Sequence, residues 1–352
     1  MAGFEGPAPT AELSAIAREF SLGGVVYFAR NVEEPVQVAE TSWRLAALGA
    51  SDLPAWVAVD QEGGRVARFR EGFTRWPPAA TLGRSGDDQL AQRFGRALAA
   101  ELAAVGVTLN FAPVLDVLTN PANTAIGDRA LSGDAATVGR LGALLIEALQ
   151  TGGVAACGKH FPGHGDTSLD SHHDLPVVDQ ELARLQAIEF EPFRGAIAAG
   201  VAALMTCHVL VPAVDESRPA TLAPDIVDGW LRSELGWSGL VFTDDMEMKA
   251  VAARMPVPQA AVAAVAAGCD VVLVCSANHD LQVETLEALI RAVEEELLPY
   301  SRVEQALARH RAAKQRFLLR RRPAAPPQAH VLRSIVGCEA HQIVAAEMAR
   351  FA

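Results

Sequence analysis

The sequence predicts a single α/β domain, a (β/α)8 TIM-type barrel with a shortened first strand and a C-terminal helical tail. Three observations predict it. Short β-branched runs alternate with Ala/Leu/Glu-rich amphipathic segments, the rhythm of repeated βα units around a parallel sheet. Polar and charged residues recur just past the ends of those runs. The chain has 352 residues, a length that suits one barrel and a short tail.

Seven strands carry clear signals, at residues 24–28, 56–60, 109–115, 154–159, 202–207, 240–243 and 271–275. An eighth is needed to close the barrel, and residues 1–4 are its candidate, followed by a helix near 10–20. Helical segments are expected near 34–49, 88–105, 135–151, 180–199, 223–235, 257–267, 279–296 and 301–318. The barrel is expected to span 1–320, with 321–352 as a linker-like stretch (RRPAAPPQ) followed by a helix over 339–351. No internal repeat is visible beyond the βα rhythm.

Composition excludes several classes of function. Lys and Arg total 30 against 42 Asp and Glu, a net charge of −12, no basic cluster occurs in the first 300 residues, and the run Arg320, Arg321 and Arg322 reads as a solvated helix end. Nucleic acid is therefore not an expected partner. The five cysteines, Cys157, Cys207, Cys269, Cys275 and Cys338, form no CxxC pair, and an odd count makes no disulfide framework. They read as buried thiols in a reducing compartment. The opening MAGFEGPAPTAELSAIAREF has neither the basic leader nor the long apolar core of a signal peptide or membrane anchor, so a cytoplasmic location is expected.

In such a barrel the functional groups come from the C-terminal strand ends. The second clear strand ends in Asp60, with Glu62, Gly63, Gly64, Arg65 and Arg68 following; the third runs into Asp116, with Arg129 beyond. The next ends deliver Lys159 and His160, then His208, then Asp244 and Asp245. The segment KHFPGHGDTSLDSHHDLP, residues 159–176, holds four of the nine histidines. Zinc would want three or four convergent ligands, but there is no HExxH or HxH, and Lys159 sets a cation beside them. In GLVFTDDMEM, residues 239–248, strand alternation lets one of the two acids face a substrate unless the chain turns there. Asp245 is then expected to cap the next helix.

At these motifs the chain resembles bacterial family-3 glycoside hydrolases, specifically their β-N-acetylglucosaminidase (NagZ-type) branch, over roughly residues 20–320. GGVVYFARN, VDQEGGRVARF, FAPVLDV, KHFPGHGDTSLDSHHDLP and VFTDDMEM occur in the family's order. The resemblance implies Asp244 as nucleophile and His172 as proton donor, with Asp170 orienting that histidine. It implies sugar and acetamido contacts from Asp60, Arg68, Arg129, Lys159 and His160, with weaker matches at His208 and Met246, and neither metal nor cofactor. The implied substrate is terminal β-linked N-acetylglucosamine, from cell-wall fragments such as GlcNAc–anhydro-muramoyl muropeptides during peptidoglycan recycling. The expected partner is thus a small carbohydrate, with no membrane association and an open oligomeric state.

The chemistry is consistent with those roles. A retaining glycosidase needs a carboxylate to capture the anomeric carbon and a second group to protonate the leaving oxygen. Arg68, Arg129 and Lys159 are expected to converge on Asp244 and keep it ionised. A histidine, with an ordinary pKa of roughly 6.5, exists in both states at working pH. A phosphorylase on the same scaffold is the alternative. A metal-dependent barrel hydrolase and a sugar-binding protein without catalysis belong to other classes.

Overall fold

The computed structural model describes residues 1–49, 53–168, 171, 174–319 and 325–352. Seven parallel strands form one curled sheet: β1 (Gly24–Tyr27), β2 (Trp56–Val59), β3 (Leu109–Asn110), β4 (Ala155–Phe161), β5 (Ala203–Thr206), β6 (Leu240–Asp245) and β7 (Val271–Leu273). The expected eighth strand is reduced to a single residue. Ala2 bridges in parallel to both Val25 and Val274, and the Ala2 N–H reaches Gly24 O at 3.2 Å while Gly3 N–H reaches Val274 O at 2.9 Å. That closure needs a glycine, because a Cβ at Gly3 would lie 1.9 Å from Cys275 O.

Strand alternation sorts the side chains into two cores. Val26, Trp56, Ala58, Leu109, Phe111, Ala155, Cys157, Met205, Leu240, Phe242 and Leu273 fill the barrel interior. Their neighbours Val25, Val57, Val59, Ala156, Leu204, Val241 and Val272 pack outward against the helices. The interior is thus a packed core, and ligands are confined to its mouth. Long helices wrap the sheet, their starts fixed by side-chain caps: Asp87 accepts from Gln89 N and Leu90 N before Asp88–Ala104, and Asp134 from Thr137 N before Ala135–Thr151.

Proline chemistry accounts for two departures from the expected elements, and a third concerns how a helix is wound. The strand expected at 109–115 stops at Asn110, because Pro113 has no N–H to give a ladder; Val114 still bridges Lys159. The helix expected over 180–199 splits into Leu182–Ala187 and Glu191–Ala198, with Pro192 in the first turn of the second. The helix near 223–235 follows Pro224 and is wound as a π-helix, Asp225–Glu234, and Leu235 N–H reaches back to Trp230 O at 2.9 Å.

The tail packs on the barrel as two helices, Ala329–Ile335 and Glu339–Ala349, the first of which the sequence reading missed. Leu332, Val336, Val344, Ala345 and Met348 join the outer core. The buried Glu101 fastens the junction, accepting from Gly337 N at 2.8 Å, His341 Nδ1 at 2.9 Å and Thr74 Oγ1 at 2.6 Å. Arg320, Arg321 and Arg322, and the first half of the expected linker, lie outside the described residues.

Candidate active site

The C-terminal strand ends open into one cleft of about 280 Å³, near the lower end of small-ligand pockets at about 300 Å³. Asp60, Arg68, Arg129, Lys159, His160 and Asp244 line it. Alternation explains three of them. Trp56 and Ala58 fill the barrel below Asp60, Ala155 and Cys157 lie below Lys159, and Leu240 and Phe242 lie below Asp244.

His160 and Asp245 depart from that rule. Each follows an inward-facing neighbour and belongs by parity to the outer face, yet both line the cleft. The reason is local. β4 shifts register against β5 between Lys159 and Phe161, and β6 shifts against β7 between Phe242 and Asp245; such irregularities re-aim side chains at strand ends. The helix-cap expectation for Asp245 is therefore corrected. Its Oδ1 accepts the N–H groups of Glu247 and Cys275, each at 3.2 Å, while the next helix, Lys249–Ala252, starts at Met248 with no side-chain cap.

Two buried carboxylates organise the basic residues. Glu62 sits behind the cleft, its Oε1 2.6 Å from Lys159 Nζ and its two oxygens 2.8 Å from Arg129 Nε and Nη2. Burial pushes the Glu62 carboxyl up, but Arg129 and Lys159 together hold it well below the usual range. Lys159 also gives a hydrogen bond to Asp60 Oδ1 at 2.7 Å, and Arg68 Nη2 lies 3.5 Å from Asp60 Oδ2. Arg68 Nε is buried with no partner among the described residues.

Asp116, the second of these carboxylates, orients His160. It lies 2.6 Å from His160 Nδ1 and takes His164 N–H at 2.7 Å, and despite full burial its carboxyl is held below the usual range by His160 and then His164. Arg129 Nη2 approaches the other ring nitrogen at 3.3 Å. A carboxylate only accepts, so Nδ1 carries a proton facing Asp116.

Asp244 is half-buried, and burial raises its pKa. His160, His208, the Asp245 N–H and Lys159 outweigh that, leaving a net lowering, so Asp244 is a carboxylate at neutral pH. The expected convergence of three cations on Asp244 holds for Lys159; Arg129 is instead turned to Glu62 and Arg68 to Asp60. His208 is buried behind β6, bonded through Nδ1 to Thr221 Oγ1 at 2.9 Å and through Nε2 to Asp245 O at 3.0 Å. Met246 lies in the outer core. Neither lines the cleft, which removes the expectation that they touch the sugar directly.

Asp170 and His172 lie outside the described residues. Ser171, between them in sequence, lines the cleft, its Oγ 3.2 Å from His164 Nε2 and its carbonyl accepting Ala250 N–H at 3.2 Å. Glu62, Asp116, His164 and Phe28 were not assigned as site residues from sequence. Glu62 had a usable signal, since it follows Asp60 by two positions. Among the described residues no three His, Cys, Asp or Glu side chains group as a metal site.

Comparison with known proteins places this geometry. The profile described as "Glycosyl hydrolase family 3 N terminal domain" matches residues 4–312. A "Beta-hexosaminidase" of Methylobacillus flagellatus is 40% identical over 287 residues, covering 77% of this chain and 81% of the relative. The family-3 β-N-acetylglucosaminidase structure from Paenibacillus sp. str. FPU-7 superposes with a TM-score of 0.95 at 40% identity, covering all of this chain, which spans 66% of that protein. NagZ from Neisseria gonorrhoeae, solved with N-trifluoroacetyl-D-glucosamine, gives a TM-score of 0.80 at 31% identity, with 100% and 97% of the two chains covered.

Proposed function

Since the chain belongs to glycosyl hydrolase family 3, we propose that its cleft is the active site of a retaining exo-β-N-acetylglucosaminidase. The protein is a glycoside hydrolase of the β-hexosaminidase type, acting on terminal β-linked N-acetylglucosamine. One observation carries the site assignment: Asp244 ends an inward-facing run of β6, in a cleft that keeps it ionised opposite the Asp60–Lys159 clamp.

Asp244 attacks the anomeric carbon as the glycosidic C–O bond breaks, and the leaving oxygen takes its proton from His172. His172, now neutral, takes a proton from water; that water attacks the glycosyl–Asp244 ester and frees the carboxylate. Asp170 orients His172 and stabilises its charged form. Asp60, Lys159, His160, Arg129 and Arg68 bind the sugar and its acetamido group. The natural substrate in this reading is a GlcNAc-terminated cell-wall fragment met in the cytoplasm. Its N-acetylglucosamine end is supported by the relatives' names, β-hexosaminidase and β-N-acetylglucosaminidase; its cell-wall origin and cytoplasmic setting follow from the motif resemblance.

The test is an assay of p-nitrophenyl β-N-acetylglucosaminide against the β-glucoside, with and without phosphate, and after exhaustive chelation. Turnover of the first substrate, unchanged by phosphate or chelator, supports the reading. Phosphate-dependent turnover points to a phosphorylase, and loss on chelation with recovery on zinc points to a metallohydrolase.

A further inference from the structure

We propose that Asp245 meets the substrate as a neutral carboxylic acid that gives a hydrogen bond to the bound sugar, while Asp244 beside it reacts as the carboxylate. The inference rests on reading the cleft as a glycosidase site.

Its basis is the unequal provision of partners to the acids of the cleft. Asp60, Asp244 and Asp245 all line it. Asp60 has Lys159 at 2.7 Å and Arg68 at 3.5 Å, and Asp244 has His160, His208 and Lys159 opposing its charge. Asp245 has no cation within ion-pair distance among the described residues. Its hydrogen-bond partners among the described residues are two main-chain N–H groups, both on Oδ1. Oδ2 has no hydrogen-bond partner among the described residues.

The two N–H groups on Oδ1 favour the charged form, but burial and the neighbouring acids outweigh them. Beside it in sequence stand Asp244 on the strand and Glu247 in the turn that follows, both acids, and Glu247 is engaged with Ser276 N at 2.7 Å. From the end of β7 comes Cys275, whose thiol burial pushes up and so keeps neutral. His208 touches the main-chain oxygen of Asp245, and Arg30 is spent on Cys275 O, Phe4 O and Glu5. Burial, then Glu247 and Asp244, push the Asp245 carboxyl up to about 7.

The chemistry gains from a neutral group there. Asp60 and Glu62 already occupy two of the N–H donors of Lys159, so an acid O–H adds a donor for a sugar oxygen. A second carboxylate beside Asp244 would raise the nucleophile's own pKa. The neutral form avoids that conflict, and Asp245 gives up no proton during the reaction.

Asp245→Asn tests this, because the amide keeps an acceptor for the two N–H groups, offers N–H in place of O–H and does not ionise. The substrate is 2,4-dinitrophenyl β-N-acetylglucosaminide, whose leaving group departs without proton donation, so His172 contributes no alkaline limb. Wild-type kcat/KM should fall above about pH 7, approaching tenfold per pH unit. D245N should be slower at pH 6 by about threefold and lose that fall, while D245A should lose about 5- to 10-fold at pH 6. An unchanged alkaline limb in D245N overturns the proposal.

Thermal unfolding gives a readout independent of turnover. A folded-state pKa above the unfolded value makes stability fall as pH rises from the ordinary carboxylate value toward the folded one. D245N and wild type should therefore unfold together near pH 4, with D245N ahead by about 1–3 °C at pH 8. Equal Tm values at both pH values overturn the neutral acid. Wild type that turns over no N-acetylglucosaminide defeats the glycosidase reading instead, and the Tm comparison still decides the state of Asp245.

Discussion

Glu62 grips Arg129 with both carboxylate oxygens, Oε2 on Nε and Oε1 on Nη2, each at 2.8 Å. The pair is the middle of a continuous chain running Asp116, His160, Arg129, Glu62, Lys159, Asp60 and Arg68. Three carboxylates alternate with three cations along it, and His160 stands between Asp116 and Arg129. Such a chain fixes Arg68, Arg129 and Lys159 in place before substrate arrives, which is how a preorganised site avoids reorganisation during reaction.

Glu62→Gln should therefore be far more harmful than its distance from the chemistry suggests. It leaves Arg129 and Lys159 buried beside one another without their shared anion, and breaking a buried pair costs about 3–5 kcal/mol. Urea denaturation should record a loss of that size, with a fall in kcat/KM on N-acetylglucosaminides. A variant as stable as wild type would falsify the view that Glu62 compensates both cations.

Acid should expose the same network. Glu62 and Asp116 both have carboxyls held below the usual range, so the stability they contribute is in place above the ordinary carboxylate pKa of about 4 and is lost as pH falls toward the folded values. Tm measured from about pH 7 down to about pH 3 should drop steeply for wild type. In Asp116→Asn the acid part of that slope should be shallower, from a lower starting Tm; identical slopes would exclude Asp116 as a contributor.

How far the sequence revealed this site depended on which physical signal each residue left. Asp60, Lys159 and Asp244 were legible because period-two alternation carries an inward-facing apolar run directly into a charged end. His160 and Asp245 were not assignable by parity, since each stands at a register shift that no composition rule marks. Asp116 looked like any acid after an apolar run; what makes it a partner of His160 is a contact across 44 residues of sequence. Met246 fitted a motif but its turn places it in the outer core. The tail's docking on Glu101 was equally hidden, because it is made by long-range hydrogen bonds to a helix residue with an ordinary polar pattern.

Asp244→Asn should abolish turnover and leave the fold intact, because an amide cannot capture the anomeric carbon and the side chain is not part of the core. A 5-fluoro N-acetylglucosaminyl donor should leave a covalent adduct that peptide mass spectrometry places on Asp244. An adduct on Asp245 would reverse the assignment of the pair and, with it, the neutral-acid role given to Asp245.

The proton donor is the remaining role, and the surroundings of Ser171 narrow the candidates. His164 has both ring nitrogens engaged by hydroxyls, Nδ1 with Thr167 Oγ1 at 2.8 Å and Nε2 with Ser171 Oγ at 3.2 Å. Burial, the leading effect, lowers its pKa, so it enters neutral and has no free N–H to give. His160 is committed to Asp116 and Arg129. The family resemblance implies the first histidine after Ser171, His172, as the donor. A histidine that has given up its proton is neutral, whereas a glutamate in that role is left anionic beside the incoming nucleophile; two anions about 4 Å apart repel by roughly 1 kcal/mol even in water and by more in a drier site. His172→Ala should slow glycosides with poor leaving groups far more than activated ones, since only the former need a proton to depart. Asp170→Asn should show the same pattern more mildly. Added azide should rescue the second step in His172→Ala and give a β-glycosyl azide, the product of two inversions at the anomeric carbon. Equal losses on good and poor leaving groups, with no azide product, would remove His172 from the role and leave His173 to be tested next.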